Sequence, residues 1–135
     1  MHNISQVKKI TFPKRASPEA SLFVYQGEEE VPFSLNRVFV VKASKRTDRG
    51  AHAHKECAQL LVVVDGECVV TCDDGAVKST YVLKDPDQGL LVPPTIWAEQ
   101  DYQAGTVLMV LTDHPYDESD YLRDYDDFLK FRGIK

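Results

Sequence analysis

The order of apolar and polar positions along the chain predicts a protein built mostly of short β-strands. Runs rich in β-branched and aromatic residues follow one another closely: Asn36–Ala43, Gln59–Val64, Glu67–Cys72, Val77–Leu83, Gly89–Val92 and Thr106–Thr112. Asp65-Gly66 and Asp74-Gly75 each separate two of these runs, and an Asp-Gly pair favours a tight turn with positive φ. Both pairs therefore predict β-hairpins, and the whole pattern predicts an antiparallel sandwich or barrel.

The two ends of the chain differ from this middle. In Ser119–Phe131 the apolar residues recur at the spacing of one helical face. Ser119 is a suitable N-cap and Gly133 follows the end, so we expect a short C-terminal helix packed across the barrel. Near the N-terminus, Ile4–Phe12 is compatible with an edge strand, and the stretches 13–20 and 28–32 are expected to be loops.

Composition and charge exclude several classes of protein. The 135 residues suffice for one domain, which we place at 1–135, and 43% of them are hydrophobic. The longest apolar run, Leu60–Val64, is too short to span a membrane, and no secretory signal precedes it. The three cysteines are not paired in a CxxC spacing and suggest reduced, cytoplasmic thiols. A net charge of −5 argues against nucleic-acid binding but leaves room for a small anion held by a few arginines.

The most informative segment contains two histidines separated by one alanine. His52 and His54 follow Gly50, and Gln59 and Gly66 come later at intervals of five and seven positions. Residues i and i+2 of a strand point to the same face, so both imidazoles are expected to project from one wall of the barrel. Two unrelated surface histidines are the alternative. The spacing resembles the first motif of the cupin family, in which an acidic residue takes the place of Gln59.

The second cupin motif corresponds to the segment GLLVPPTIWAE, residues 89–99, in which Ala98 stands where a histidine is expected. A divalent metal site needs three or four N or O ligands, usually including a carboxylate. His52 and His54 supply two ligands, Gln59 at most a weak third, and Ala98 none. We therefore expect no tightly bound catalytic metal. Two free imidazoles are instead suited to proton transfer near neutral pH.

Four segments, which follow one another along the chain, resemble one particular family within the cupins. These are PFSLNRV at 32–38, RGAHAHK at 49–55, VPPTIW at 92–97 and YDESDYLRDYDDF at 116–128. Together they are similar to the dTDP-sugar 3,4-ketoisomerase family, the WxcM-like cupins, over a region from about Arg15 to Phe128.

This resemblance implies an all-β, cupin-type antiparallel barrel (jelly roll) with a short C-terminal helix. It implies a cytoplasmic bacterial enzyme, usually a homodimer, without metal or redox cofactor. The implied substrate is dTDP-4-keto-6-deoxyglucose, and the implied reaction moves the keto group to C3 through an enediol to make sugars for surface glycans. By position His52 and His54 match the family's catalytic pair, with His52 expected as principal base and His54 as partner acid.

Further site residues follow from the charge of the ligand. Arginine pairs with phosphate in a planar fork, and Arg15, Arg37 and Arg49 are candidates to bind a nucleotide pyrophosphate. Gln59 is a further candidate for substrate binding, and Trp97 for stacking on the base or sugar. For each arginine the alternative is a structural ion pair, and for Trp97 it is packing at the barrel mouth.

Two departures from the family keep other functions open. Phe39 replaces a tyrosine found in many members, and Ala98 replaces a histidine. An altered or slow isomerase, a non-catalytic nucleotide-sugar-binding homologue and a metal-dependent cupin are the alternatives. Every residue of Leu60–Val64 is apolar, so both faces of this strand are expected to be covered. One face could line the barrel while the other meets a partner subunit.

Overall fold

A computed structural model describes residues 1–135 and contains two five-stranded antiparallel sheets. The first sheet has the order β1-β9-β6-β11-β4, and these strands are Lys8–Thr11, Gln88–Val92, Gln59–Asp65, Val107–Thr112 and Arg37–Lys42. The second has the order β12-β5-β10-β7-β8, comprising Tyr121–Leu122, Thr47–His54, Trp97–Tyr102, Cys68–Asp73 and Lys78–Leu83. No helix in the structure is both long and apolar enough to cross a membrane.

The inward faces of the two sheets form the main core. The first sheet contributes Leu61, Val63, Leu90, Val92, Leu108 and Val110, and the second contributes Cys68, Val70, Cys72, Leu83, Ala98 and Tyr102. Alternate residues of these strands point into the core because the side-chain period of a strand is two. The prediction of an antiparallel all-β barrel with a short helix is confirmed.

All six predicted strands are present, and their ends differ from the prediction by at most one residue. The Asp74-Gly75 hairpin is confirmed, because β7 pairs with β8 and the Asp74 carboxylate accepts hydrogen bonds from the N–H groups of Ala76 and Val77. The Asp65-Gly66 hairpin is wrong, since β6 and β7 belong to different sheets. This turn is instead an arch between the sheets, and Gly66 has a φ of +91° and lies against Thr106.

The N-terminal third is more ordered than expected. β1 is an edge strand within the predicted Ile4–Phe12 segment. The stretch 13–20, expected to be a loop, contains β2 (Lys14–Ala16), which pairs with β3 (Ser21–Phe23). This hairpin forms a separate two-stranded sheet.

The outward face of β6 is covered by the chain itself. Leu60 and Val62 on this face pack in a cluster with Phe12, Val31 and Leu111. The idea that the second apolar face of β6 meets a partner subunit is therefore wrong, because the N-terminal segment already occupies that face.

The C-terminal tail also departs from the prediction. In place of one helix over Ser119–Phe131, a 3-10 turn (Glu118–Asp120) is followed by strand β12 and then by α1 (Tyr125–Phe131). The helix is capped by Asp124, whose side chain accepts a hydrogen bond from the N–H of Asp127. The first part of the tail is extended because it pairs with the end of β5.

Candidate active site

A bulge in β5 sets the direction of the histidines. His52 pairs with Ala98 of β10, but Arg49 pairs with Gln100, so the register shifts between these points. Gly50 lies in the bulge with a φ of +92°, a conformation that side chains with a Cβ rarely adopt. After the bulge, Ala53 turns outward against Trp97, and the two histidines flanking it point the other way.

His54 is held by a carboxylate from the C-terminal tail. Its Nδ1 lies 3.0 Å from Oδ2 of Asp120, and the same carboxylate accepts hydrogen bonds from the N–H groups of Glu56 and Cys57. The His54 residue is 7% exposed, and its Nε2 atom is buried without a hydrogen-bond partner. The Asp120 contact therefore fixes the ring and leaves Nε2 free for chemistry.

Tyr121 lies against both imidazoles. Its ring centroid is 4.3 Å from that of His54 and 5.0 Å from that of His52, while the two histidine rings are 5.0 Å apart. The guanidinium carbon of Arg123 lies 4.1 Å from the centroid of the Tyr121 ring. The tail thus adds an aromatic wall and a cation to the two histidines of β5.

Burial favours the neutral form of both imidazoles. Desolvation, with smaller contributions from neighbouring His54 and Arg123, lowers the pKa of His52 to about 4. Desolvation also lowers the pKa of His54, but here the hydrogen bond and the charge of Asp120 act in the opposite direction. Asp120 consequently makes His54 the better of the two sites for a transient imidazolium.

The histidine face borders a cavity of about 340 Å³ in the mouth of the barrel. It is lined by Arg37, Phe39, Val40, Val41, Arg49, Gly50, His52, Gln59, Gln100, Tyr102, Val110, Tyr121 and Arg123. This lining includes three arginines and no carboxylate, so it is suited to an anion.

A larger cavity of about 410 Å³ lies beside β5, β7 and β10. Its lining includes Asp48, Glu99 and Asp101 but no histidine, and Val69 and Thr71 belong to the face of β7 that turns away from the core. Three carboxylates repel an anion. The smaller, arginine-lined cavity is therefore the better site for an anionic ligand.

Four of the predicted site residues, His52, Arg37, Arg49 and Gln59, line this cavity. His54 lies behind them, at a narrow cleft that it shares with Arg37, Gln59 and Tyr121. The structure thus brings these five residues to the same end of the barrel.

Two other predicted residues lie elsewhere. Trp97 is 6% exposed and packs under α1, with its ring 5.6 Å from that of Phe128, so the expected stacking on a ligand is replaced by the packing alternative. Its outward direction follows from strand parity, since its neighbour Ala98 points inward. Arg15 lies on the exposed hairpin β2–β3 and does not line the cavity of its own chain.

Sequence reasoning missed Asp120, Tyr121 and Arg123. The helical spacing of the apolar residues assigned them to a helix, on which Tyr121 would have packed as one more apolar anchor. No local signal separates a strand from a helix here, because Asp120-Tyr121-Leu122-Arg123 places two apolar residues side by side and does not alternate.

The two departures from the family pattern, Phe39 and Ala98, can now be placed. Phe39 lines the cavity, and the guanidinium carbon of Arg37 lies 4.6 Å from its ring centroid. Ala98 lies directly opposite His52 across the β5–β10 ladder and offers no donor atom. A phenol is still present at the cavity, since Tyr121 lies between the histidines and Arg123.

The family described as WxcM-like, C-terminal (FdtA) matches residues 5–133. The chain belongs to this family. A curated relative, the TDP-4-oxo-6-deoxy-alpha-D-glucose-3,4-oxoisomerase of Aneurinibacillus thermoaerophilus, is 40% identical over 126 residues, which cover 92% of this chain and 91% of the relative.

Solved structures agree with this assignment. A 3,4-ketoisomerase from Helicobacter canadensis is 33% identical, with a TM-score of 0.91 and coverage of 95% of this chain and 98% of the other. The sugar 3,4-ketoisomerase QdtA from Thermoanaerobacterium thermosaccharolyticum, in complex with TDP, is 31% identical, with a TM-score of 0.92 and 97% of both chains covered. The predicted family, cupin-type fold and isomerase class are confirmed.

Proposed function

We propose that this protein is a nucleotide-sugar 3,4-ketoisomerase that acts on a dTDP-4-keto-6-deoxyhexose. The observation that carries the proposal is the pair of buried imidazoles, one bound to Asp120, at an anion-binding cavity lined by three arginines. The name of the curated relative supports the substrate class, and the TDP complex of QdtA supports the nucleotide.

The reaction is a proton shift that needs no external oxidant. The C4 carbonyl acidifies the proton on C3, and removal of that proton gives an enediolate. Protonation of its oxygen at C4 gives the enediol. Loss of the proton from the C3 hydroxyl, with proton delivery to C4, then gives the 3-keto sugar. One hydrogen leaves C3, one arrives at C4, and one proton moves from O3 to O4, so the atoms balance.

The two histidines divide these steps. His52 lines the large cavity, and its lowered pKa keeps it a neutral base at pH 7. His54 is stabilised by Asp120 when it carries a proton, which suits it to deliver one. Acid–base groups of this kind typically contribute about 10²–10⁴-fold to a rate.

Arginines orient the substrate. Arg37 and Arg49 line the cavity without a carboxylate partner within ion-pair distance, so both are free to bind the pyrophosphate. Arg123 is already bound in a fork to Glu118, with contacts of 2.7 and 2.9 Å. We assign Arg123 chiefly to holding the Tyr121 ring in place, and Gln59 to hydrogen bonding with the sugar.

Exchange of hydrogen in D₂O tests the reaction and the division of roles together. The wild-type protein, incubated with dTDP-4-keto-6-deoxyglucose, should form a 3-keto product with deuterium at C4. The His54→Asn variant should still exchange hydrogen at C3 but form little product, whereas His52→Asn should do neither. If the wild type neither exchanges hydrogen nor forms product, the protein is a binding homologue for that substrate. If it binds stoichiometric iron or zinc that turnover requires, a metal-dependent cupin is correct.

We also propose that the protein is a homodimer. The edge strand β4 pairs only with β11, and its outward residues Val38 and Val40 are 50% and 56% exposed. The separate hairpin β2–β3 carries Leu22, which is also 56% exposed. An isolated two-stranded hairpin is marginally stable, and an apolar sheet edge tends to pair with another strand. A second copy of this chain, packed on β4 and on the hairpin, would stabilise the hairpin and cover the edge.

In such a dimer, Arg15 is carried on the hairpin toward the partner and can reach the partner's ligand. Sedimentation measurements should give a dimer for the wild type and a monomer for the Val38→Lys/Val40→Lys double variant. Changing the exposed Val82 to Lys, on β8 at the edge of the other sheet, is the matched control and should leave the dimer intact. A monomeric wild type overturns the proposal.

The remaining assignments concern the cellular setting. We propose that residues 1–135 act as one domain in the cytoplasm, where the thiols of Cys57, Cys68 and Cys72 stay reduced. The product would supply deoxysugars for surface glycans such as lipopolysaccharide O-antigen. Deletion of the gene and analysis of the surface sugars tests this setting.

A further inference from the structure

A second group of side chains with metal-binding atoms lies next to His54 but is not used in the proposed reaction. Cys57, Asp113 and His114 bring one sulfur, one carboxylate oxygen and one imidazole nitrogen within 4.8 Å of one another. Asp113 and His114 directly follow β11, and Cys57 lies in the turn between β5 and β6. The fold therefore assembles the three side chains from separate segments.

Existing contacts hold two of these groups in place. Oδ1 of Asp113 accepts a hydrogen bond of 2.8 Å from the N–H of Ala58 and lies 2.7 Å from Nδ1 of His114. The side chain of His114 is 44% exposed, so an ion can enter from solvent, whereas Cys57 is 5% exposed. The two hydrogen bonds hold Asp113 and His114 in place before any ion binds.

The narrow cleft beside His54, a space of about 10 Å³, extends to Cys57 and His114, and Arg37 also lines it. This volume is on the scale of one water-sized sphere. The space is therefore too small for an organic ligand.

The other two cysteines provide an internal comparison. Cys68 and Cys72 are fully buried in the apolar core of the barrel, and neither belongs to a group of potential metal ligands. Only Cys57 combines its sulfur with an imidazole and carboxylates. Ordinary core packing accounts for Cys68 and Cys72 but does not account for the neighbours of Cys57.

We propose that Cys57, Asp113 and His114 form a binding site for Zn²⁺. Thiolate, imidazole and carboxylate are the ligands that Zn²⁺ prefers, and a water molecule can complete a tetrahedron. On binding, the thiol proton is released to solvent, and His114 coordinates as a neutral imidazole. No redox change takes place.

Bound Zn²⁺ has a consequence for the reaction, which rests on the proposed function. A carboxylate oxygen of Asp120 lies within 4.8 Å of the Cys57 sulfur and is also the hydrogen-bond partner of His54. A divalent ion beside Asp120 attracts its carboxylate and weakens the contact that holds the His54 ring in place. Zn²⁺ is therefore an inhibitor that acts from behind the catalytic pair.

Cobalt titration of the untagged, metal-free protein tests the binding site directly. We expect one equivalent of Co²⁺ to give an intense thiolate-to-cobalt charge-transfer band that Zn²⁺ then removes. The band should persist in Cys72→Ala, disappear in Cys57→Ala, and need at least tenfold more Co²⁺ in His114→Ala. A wild type without the band, or a band that survives in Cys57→Ala, overturns the site.

Turnover measurements test the inhibition separately. Zn²⁺ should inhibit the wild type and a chelator should restore activity, whereas Cys57→Ala should keep the basal rate and resist Zn²⁺. Normal turnover with zinc bound would overturn the inhibition. A metal-free wild type without any turnover would contradict the proposed function, and the cobalt band would still decide whether the site exists.

Discussion

The N-terminal segment and the C-terminal tail each cover the outer face of one sheet of the barrel, but only the tail contributes to the candidate site of its own chain. Phe12 and Val31 of the N-terminal segment pack on Leu60 and Val62 of β6. In the tail, Leu122 and Phe128 pack on Ala53 and Trp97 of the other sheet.

We call these two segments the N-terminal cover and the C-terminal cover. They differ in the strand with which each one pairs. The tail pairs with the end of β5, with Tyr121 opposite His54 and Leu122 opposite Ala53. Because neighbouring residues of a strand face opposite ways, Leu122 anchors the tail while Tyr121 turns to the histidines. The N-terminal segment pairs with β9 through β1, and none of its residues lines the cavity of about 340 Å³. Apolar packing at the N-terminal end thus serves stability alone. The same kind of packing at the C-terminal end also holds Tyr121 against the two histidines.

The largest expected effect is the loss of either catalytic histidine. His52→Asn and His54→Asn should each lower kcat by about 10²–10⁴-fold, because each removes a proton-transfer group. Far-UV circular dichroism should stay unchanged, and His2→Asn, at a surface position, serves as the control. A histidine variant with full activity would remove that residue from the mechanism.

Matched truncations of the two covers test the comparison itself. Phe12 and Phe128 are 2% and 0% exposed, and truncation of either to Ala should cost about 3–5 kcal/mol of unfolding free energy in urea titrations. Phe128→Ala should also lower the specific activity of the folded protein, since α1 no longer holds the tail against β5. Phe12→Ala should leave that activity unchanged. Equal loss of activity in both variants would contradict the distinction.

Single hydrogen bonds in the two covers give a finer test. Asp120→Asn should lower kcat by about 10- to 10²-fold with little change in KM, because a hydrogen bond to a charged group is worth about 1.5–3 kcal/mol. Tyr25→Phe removes the hydrogen bond of 2.5 Å that the Tyr25 hydroxyl donates to the carbonyl of Pro86 in the N-terminal cover. This variant should lower the free energy of unfolding by about 1 kcal/mol and leave turnover unaffected. The reverse result would place the functional cover at the N-terminus.

The smallest effect concerns pH. His52 has an ordinary pKa of 6.5 when unfolded and about 4 when folded, so between these values the unfolded chain binds more protons. Stability should therefore fall as the pH is lowered from about 6.5 to about 4, and this fall should become shallower in His52→Asn. Urea titrations across this range, with His2→Asn as control, measure the difference. Parallel profiles for both variants would contradict the buried, neutral state of His52.

Much of the site could be predicted from local sequence. The HxH spacing alone put His52 and His54 on one face of a strand, and the arginine and glutamine candidates Arg37, Arg49 and Gln59 line the same cavity. Trp97 was assigned to the ligand but packs under α1, and Arg15 does not line the cavity of its own chain. The two-residue period of a strand shows which side chains share a face, but it does not show which face lies inside the barrel.

The sequence by itself determined the β-rich architecture, the paired histidines and the apolar anchors of the C-terminal tail, because these depend on periods of two to four residues. Only the tertiary structure decided that the Asp65-Gly66 turn joins two sheets, and that the tail extends along β5 before it becomes helical. Partner strands far apart in sequence supply those hydrogen bonds, so no local pattern encodes them. The contact between Asp120 and His54, across 66 positions, exists for the same reason.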